Sequence, residues 1–456
     1  MTAVSVITLF VICAASLFFY HTRYALFKLI PFGLLAALGI LLLDASETLQ
    51  VDEVTSGWSD LPSVMINVVF ATLFLGKQLI SPKAIWKFAG PQIVFGQTLA
   101  WGQYVLGIAL TGLVLVPVYN MSPLAGALIE ISFEGGHGTA AGLGSLFQEL
   151  GFSEGADLAL GLATVGMAAG LVSGIVMTGI FKARHAISAE APGPAAGTPL
   201  NSLFGAFILQ THTRFFARHK LAGTALQLML VALAIALGDG LKTLLLTGEN
   251  LVRLLVDVPH IAQHIPVFPL AMIGGIILQA TLKATGMSRI VSGETMEFIG
   301  AIALEVVIIS AVATMSLVSI ERNLEPFALL VLAGTAWNLT AFLLLAPRLM
   351  SEYWFERGIG DYGQSMGMTA TGLLLMRSAD PANRSQAFER FGYKQLLFEP
   401  VVGGGLFTAA SMILIANYGL GVIFMLTLAL TLFWIILGLV CFGSHRRHGN
   451  AGRGHQ

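Results

Sequence analysis

The sequence predicts an all-α, polytopic membrane protein with two inverted-topology repeats, each carrying a re-entrant helical hairpin. Three observations support this prediction. The 456 residues are 56% hydrophobic and only 11% charged, with a mean hydropathy of +0.81, whereas soluble domains carry about 25% charged residues. Apolar runs of near-spanning length recur along the chain. Two polar, glycine-rich stretches interrupt these runs at corresponding positions of the two halves.

The two glycine-rich stretches are EGGHGTAAGLG at 134–144 and GDYGQSMGMTATG at 360–372. Each glycine weakens a helix by roughly 1 kcal/mol relative to Ala. Backbone freed from a helix at membrane depth has to be buried in protein or line a wet cavity. Broken, glycine-rich elements in matched positions of two hydrophobic halves indicate the binding site of a secondary transporter.

The Lys and Arg distribution predicts the topology, because positive residues mark the cytoplasmic side. The acidic loop 44–60 has no Lys or Arg and is placed outside, whereas loops 76–87 and 182–220 are basic and are placed inside. A single crossing by 122–150 would put 182–220 outside, so 122–150 is predicted to be re-entrant. Spans are predicted at 3–20, 28–43, 61–75, 88–116 and 158–181, and at 221–246, 265–282, 296–320, 325–346, 400–416 and 420–442.

This topology divides the chain into four parts. Asp239 and Lys242 interrupt the span 221–246, which makes it the weakest of the predicted spans. The basic segment with Arg384, Arg390 and Lys394 is interpreted as an amphipathic connector. The predicted parts are a first inverted repeat (1–185, hairpin 122–150), a cytoplasmic linker (186–220), a second inverted repeat (221–416, hairpin 361–378), and an extra C-terminal span with a basic tail (417–456).

The candidate substrate- and ion-binding residues lie in the two motifs. Hydroxyls and unwound carbonyls are sodium ligands, and half-helix N-termini attract a carboxylate. Thr139 and Thr369 hold matched positions and are predicted, with the tip carbonyls, to bind sodium. Alternatively, the small residues allow close helix packing, and Asp361 caps the following half-helix. The full candidate set is Glu134, Gly135, Gly136, His137, Gly138, Thr139, Asp361, Gln364, Ser365, Gly367, Thr369 and Thr371.

Other polar residues lie in predicted spans. Glu305 falls within 296–320, where an ionisable side chain is a functional hypothesis by default. It is predicted to be a coupling residue, a proton carrier or a structural ion-pair partner. Gln97, Gln103 and Asn338 either connect helices or line the site. His137 has no second ligand at metal-binding spacing, so it either faces the solute or packs against the neighbouring half-helix.

The motifs GGHGTAAGLG at 135–144 and DYGQSMGMTATGLLLMR at 361–377 resemble those of the bacterial sodium/glutamate symporter family. The resemblance is strongest over about 130–185 and 358–405, including EPVVGGG at 399–405. It implies sodium-coupled uptake of glutamate across the bacterial inner membrane, with Na⁺ as coupling ion and no other cofactor. It also implies a homodimer in which a mobile transport domain moves past a fixed scaffold, as in an elevator.

Rival functions stay open. One is a carrier of another organic anion, coupled to sodium, or to protons through Glu305 or His137. A second is a membrane-embedded enzyme with His137 as a base, although Gly367 holds the matching position in the second motif and the duplication favours transport. A passive channel is the third, and it would not concentrate its solute. A net charge of −1 gives no indication of a nucleic-acid partner.

The topology leads to a labelling prediction. A cysteine introduced at position 52 should react with a membrane-impermeant thiol reagent added outside, and one at position 196 should react only after the membrane is opened. The basis is the Lys/Arg asymmetry between loops 44–60 and 182–220. Labelling of position 196 but not 52 from outside would reverse the predicted orientation.

Overall fold

The fold is all-helical throughout the part of the chain that the structure describes. The structure is a computed structural model that describes residues 1–20, 32–46, 51–185, 221–256 and 259–443. The predicted linker 186–220 and the tail from residue 444 lie outside these residues, so their predictions stand as they were. The same holds for residues 21–31, which include the predicted loop 21–28, and for residues 47–50.

The described helices are numbered in chain order. Before the linker they are α1 (Ala3–Tyr20), α2 (Phe32–Ala45), α3 (Leu61–Thr72), α4 (Pro82–Leu110), α5 (Leu128–Phe133), α6 (Gly136–Gly142), α7 (Gly144–Glu149) and α8 (Gly155–His185). After it they are α9 (Leu221–Arg253), α10 (Val267–Ala284), α11 (Gly293–Ala313), α12 (Leu324–Leu349), α13 (Trp354–Gln364), α14 (Thr369–Ala379), α15 (Ala387–Phe398) and α16 (Leu406–Cys441).

Seven helical stretches within the described residues are long and apolar enough to cross a membrane. This confirms a polytopic membrane protein with no β-strand in its described part. Several further helices are apolar but shorter, among them α3 and the first part of the 122–150 segment. The seven stretches are Pro82–Tyr119, Gly155–Arg184, Gly223–Arg253, Val267–Ala284, Gly293–Ala313, Leu324–Leu349 and Leu406–Cys441.

Several predicted spans differ from the helices that the structure shows. The span predicted at 400–416 begins only at Leu406, because Gly403 and Gly404 turn the chain with positive φ values of 71° and 100°. The span predicted at 296–320 ends at Ala313. The predicted interruption of 221–246 is absent, because α9 continues through Asp239 to Arg253.

The chain folds into two compact units, each assembled from separate segments. Unit 1 comprises 1–79, 137–160 and 198–322, and unit 2 comprises 80–136, 161–197 and 323–456. Each unit therefore takes segments from both sides of the predicted linker.

In unit 1, α3 packs against α10 and α11, and α9 packs along α10. Polar side chains fix the ends of these helices. Gln279 accepts a hydrogen bond from the backbone N–H of Gly76 at 2.9 Å, and Gln227 accepts one from Ser292 at 3.0 Å. Asp157 accepts hydrogen bonds from the backbone of Ser316 and the hydroxyl of Ser319, which hold the turn that follows α11.

In unit 2, α4 is the central helix, because α12, α15 and α16 all pack against it. It begins at Pro82, where the Ser81 hydroxyl accepts a hydrogen bond from Ala84, a favourable start for a helix. A five-residue π-helical segment, Thr111–Leu115, follows its C-terminal end. Such segments are rare in helices and frequent near functional sites.

Helices α13 and α14 form an antiparallel hairpin in unit 2. Gly360 faces Met376, and Gly363 lies so close to Gly372 that an added Cβ would come within 2.8 Å of the Gly372 Cα. Each limb has 11 residues, which at 1.5 Å per residue is roughly half of the ~30 Å hydrocarbon core of a membrane.

Candidate functional site

The tips of the two glycine-rich motifs meet in unit 2. Gly136, with φ at +68°, lies against the backbone carbonyl of Gly367, and a Cβ at position 136 would overlap that oxygen. Gly367 itself has φ at +146°, and a Cβ there would come within 3.0 Å of the Met167 backbone. Only glycine satisfies both the backbone conformation and the close approach. The structure thus brings the predicted residues Gly136 and Gly367 together.

Around this contact, unit 2 places Glu134 and the helix end that carries Asp361, Gln364 and Ser365. All four side chains are buried. Gly135 is half-buried and follows Glu134 directly. Thr369, also half-buried, begins α14, and Thr371 is buried two positions further along.

The backbone carbonyl of Ser365 is held at the tip by two amide side chains. Gln103 of α4 donates to it at 2.9 Å, and Asn338 of α12 donates to the same oxygen. Gln103 also donates to the Asn338 side-chain oxygen at 3.1 Å. The non-helical backbone between α13 and α14 is therefore satisfied by neighbouring helices, as backbone at membrane depth requires.

Asp361 and Gln364 share a buried lysine that the sequence analysis placed on an amphipathic connector. Lys394 donates to Asp361 Oδ1 and to Gln364 Oε1, both at 2.9 Å, and its side chain is fully buried. The connector prediction was wrong at this position, because Lys394 points into unit 2 rather than to a surface. A helix cap by Asp361 is also not what the structure shows, since Asp361 lies within α13 and pairs with Lys394.

Glu130, which the sequence analysis missed, is a fully hydrogen-bonded buried carboxylate. One oxygen accepts from the backbone N–H of Gly403 at 2.9 Å and from the Thr408 hydroxyl at 2.8 Å. The other accepts from the Tyr104 hydroxyl. Hydrogen bonds from several donors stabilise a buried carboxylate. They also attach α5 to residues 399–405. The glycine-rich EPVVGGG motif at these residues was the sequence feature that could have pointed to a buried partner such as Glu130.

Glu134 lies one helical turn after Glu130 and differs from it in its hydrogen bonding. It is 4% exposed, yet neither carboxylate oxygen makes a hydrogen bond of acceptable geometry within the described residues. The Ser365 hydroxyl faces it, Lys394 attracts it, and Glu130 and Glu399 repel it. A buried carboxylate without donors is costly unless a cation joins it. Its surroundings suit a sodium ion or an ammonium group.

Three predicted residues of the first motif lie in unit 1 instead. His137, Gly138 and Thr139 form part of α6, and both His137 and Thr139 are buried. A Cβ on Gly138 would meet Ile66 and Leu304 at 3.2–3.3 Å, so this glycine allows α6 to pack against α3 and α11. Thr139 and Thr369 thus belong to different units.

Glu305, the predicted coupling residue, connects three helices of unit 1. It lies in α11 and accepts a hydrogen bond from the Ser16 hydroxyl of α1. The backbone N–H of Gly33, near the start of α2, donates to Ser16 at 3.3 Å. A Cβ on Gly33 would overlap the Glu305 carboxyl group, so the glycine makes room for it.

The family comparison adds to this geometry. A family model described as sodium/glutamate symporter matches residues 2–378. The chain therefore belongs to the sodium/glutamate symporter family. Among individually curated proteins, none matches the chain. Membership confirms the resemblance found in the two motifs, and with the seven apolar stretches it identifies a multi-pass, sodium-coupled glutamate transporter. The match ends before α15 and α16, so it assigns nothing to Glu399, Gly403 or Lys394.

The contrast between the two glutamates gives a prediction. Glu130→Leu should lower the free energy of unfolding by about 1–3 kcal/mol, because three buried donors lose their acceptor. The matched Glu134→Leu should leave stability unchanged or higher without sodium, and should abolish the stabilisation that sodium gives. Thermal unfolding in detergent, with and without sodium and glutamate, measures both. Equal destabilisation by both changes with an intact sodium response would contradict this assignment.

The tip contact gives another prediction. Gly136→Ala should abolish glutamate uptake, because it adds a clash with the Gly367 carbonyl to the ~1–2 kcal/mol that a left-handed conformation costs an L-residue. Gly151→Ala is the matched control, since Gly151 has φ at +75° and open space around it. The measurements are the uptake of radiolabelled glutamate and the amount of each variant in the membrane. Uptake lost equally in both would show that backbone strain alone is responsible.

Proposed function

We propose that this transporter imports glutamate with sodium by alternating access, and that the tips of two re-entrant hairpins, 122–150 and 361–378, form its binding site. The observation that carries the proposal is the contact of Gly136 with Gly367, beside the buried carboxylate of Glu134. Family membership supplies sodium and glutamate as the transported species.

The proposed roles follow from the chemistry of each group. Glu134 binds a cation, either sodium or the substrate ammonium, together with the Ser365 hydroxyl. The N-terminus of α14 at Thr369 presents backbone N–H groups and a positive dipole end to a substrate carboxylate. Gly135, Gly136 and Gly367 contribute backbone, and Gln364 and Thr371 contribute polar groups behind the tip. Thr139 and Thr369 supply hydroxyls to sodium.

The inverted repeats are part of the same proposal. The limbs α13 and α14 are each roughly half as long as the membrane core is thick, and α5, α6 and α7 are shorter still. Such short helices support hairpins that enter and leave on one side. The first hairpin would open to the outside and the second to the inside, with repeats at 1–185 and 221–416 joined by the linker 186–220.

Alternating access is proposed to be of the elevator type, in a homodimer within the bacterial inner membrane. Unit 2 supports this, because the hydrogen bonds around Ser365 and Glu130 bind the second hairpin, α4, α12 and the 399–405 segment into one body. The apolar helices α12 and α16 both belong to unit 2, together with the second hairpin. A thiol placed on α14 should change its reactivity when sodium and glutamate are added. Unchanged reactivity in every condition would oppose an elevator.

Energetics also constrain the coupling. Glutamate carries a net negative charge, and moving one charge inward against the membrane potential costs about 2.3 kcal/mol per 100 mV. More than one sodium ion per glutamate is therefore needed if positive charge is to move inward.

Glutamate uptake by proteoliposomes, with sodium replaced by choline or by a proton gradient, tests the proposed function. Uptake driven by protons alone, or of other organic anions in preference to glutamate, would overturn it.

The matched threonines provide the prediction of this section. Thr139→Val and Thr369→Val should each reduce uptake and weaken sodium dependence while the protein stays folded. Valine keeps the shape but removes the hydroxyl, and an unsatisfied buried partner costs roughly 1–3 kcal/mol. Thr243→Val, at an exposed position on α9, is the control. Wild-type uptake and sodium dependence in both variants would make these threonines packing residues.

A further inference from the structure

We propose that Lys394 is a tethered cation of the transport site, whose ammonium group occupies a position beside Asp361 that a mobile cation would otherwise have to fill. The inference rests on the proposed sodium-coupled function and deepens it. Its consequence is that Lys394 sets how many sodium ions the site binds with each glutamate.

The surroundings of the Lys394 ammonium have the composition of a cation site. Asp361 Oδ1 and Gln364 Oε1 accept from it, both at 2.9 Å. The rings of Phe398 and Phe391 lie 4.1 and 5.0 Å from the nitrogen, within the range of cation–π attraction. Carboxylate and amide oxygens with aromatic faces would attract any cation, and here the chain supplies its own.

The fold makes room for this lysine. Gly96 of α4 lies beside the side chain, and a Cβ at that position would come within 3.0 Å of Nζ and 3.2 Å of Cδ and Cε. A larger residue would displace the lysine from Asp361. The side chain is fully buried, so bulk water does not solvate its charge.

The buried carboxylates of unit 2 differ in whether a donor or a counter-charge is already bound to them. Glu130 has three hydrogen-bond donors, and Asp361 has Lys394. Glu134 is attracted by Lys394 but makes no hydrogen bond with it. Because Lys394 is engaged with Asp361, Glu134 is the carboxylate left for a mobile cation. Lys394 lies beyond residues 2–378, so the family match does not assign this role.

Counting sodium ions in charge variants tests the proposal. The purified transporter is stabilised by a ligand that binds only the folded state, so the dependence of stability on sodium concentration reports the number of ions bound. Thermal unfolding would be measured over a sodium titration at fixed glutamate. The proteins are wild type, Lys394→Met, Asp361→Asn and the double variant. Lys283→Met is the control, because it removes an exposed lysine of unit 1.

The expected results form a cycle. Lys394→Met leaves Asp361 without its partner, and a buried charge needs a counter-charge. The slope of stability against the logarithm of the sodium concentration should therefore rise, which corresponds to about one more sodium ion bound. Asp361→Asn releases Lys394 to neutralise Glu134, so the slope should fall by about one ion. The double variant loses both charges and should return to the wild-type slope, although its uptake is expected to be slower. Lys283→Met should not change the slope.

A pair that only stabilises the fold would behave differently. Both single variants would then melt at lower temperature with the wild-type sodium slope, and this outcome overturns the proposal. If Lys394→Met fails to fold, Asp361→Asn decides, because asparagine keeps the size of the side chain and removes only its charge. A lower slope then supports the proposal, and an unchanged slope overturns it. A wild-type protein without any sodium response would instead refute the proposed function.

Discussion

Buried negative charge is the constraint on which unit 2 depends. Glu130, Glu134 and Asp361 are all at most 4% exposed, and an ionised carboxylate removed from water is costly unless donors or a counter-ion satisfy it. The chain meets this requirement in three ways. Glu130 receives hydrogen bonds from three residues, Asp361 receives a lysine, and Glu134 receives neither. The first two solutions hold the unit together, and the third is the basis for the proposed cation site.

Close approach of backbone segments is the second physical requirement, and glycine provides it. Gly136 contacts the Gly367 carbonyl, and Gly363 lies against Gly372 within the second hairpin. On α8, Gly166 and Gly170 pack against Met366, and Gly174 packs against Leu375. Polar backbone that leaves a helix is thereby buried against other backbone, and the amides of Gln103 and Asn338 satisfy the one carbonyl at the turn. The glycine-rich motifs thus allow close packing of the backbone at the proposed binding site.

Sequence reasoning located the two motifs, the helical class and the membrane character, because composition, glycine clusters and apolar runs carry these properties directly.

Sequence reasoning missed the roles of Lys394 and Glu130. Lys394 stands in an alternating basic and aromatic segment that has the pattern of a surface helix, and its burial depends on Gly96, almost three hundred residues earlier. Glu130 looked like one polar residue in an apolar run, and its donors at Gly403 and Thr408 come from the far end of the chain. Long-range partners of this kind leave no local pattern. For the same reason the division into two compact units, each drawn from both halves, could not be derived from charge asymmetry along the chain.

The spacing of the two glutamates links structure to coupling. Glu130 and Glu134 are one turn apart at the C-terminal end of α5, and the Glu134 N–H donates to the Glu130 carbonyl at 3.0 Å. The donors that fix Glu130 therefore also fix the backbone from which the Glu134 side chain extends. A ligand can shift a conformational equilibrium only by the difference in its affinity for the two states. A buried carboxylate without donors would bind a cation strongly in a state where further ligands are present, and weakly in a state where they are not. If sodium drives alternating access, the state-dependent element is thus the set of groups that complete the cation site around Glu134, rather than Glu134 itself.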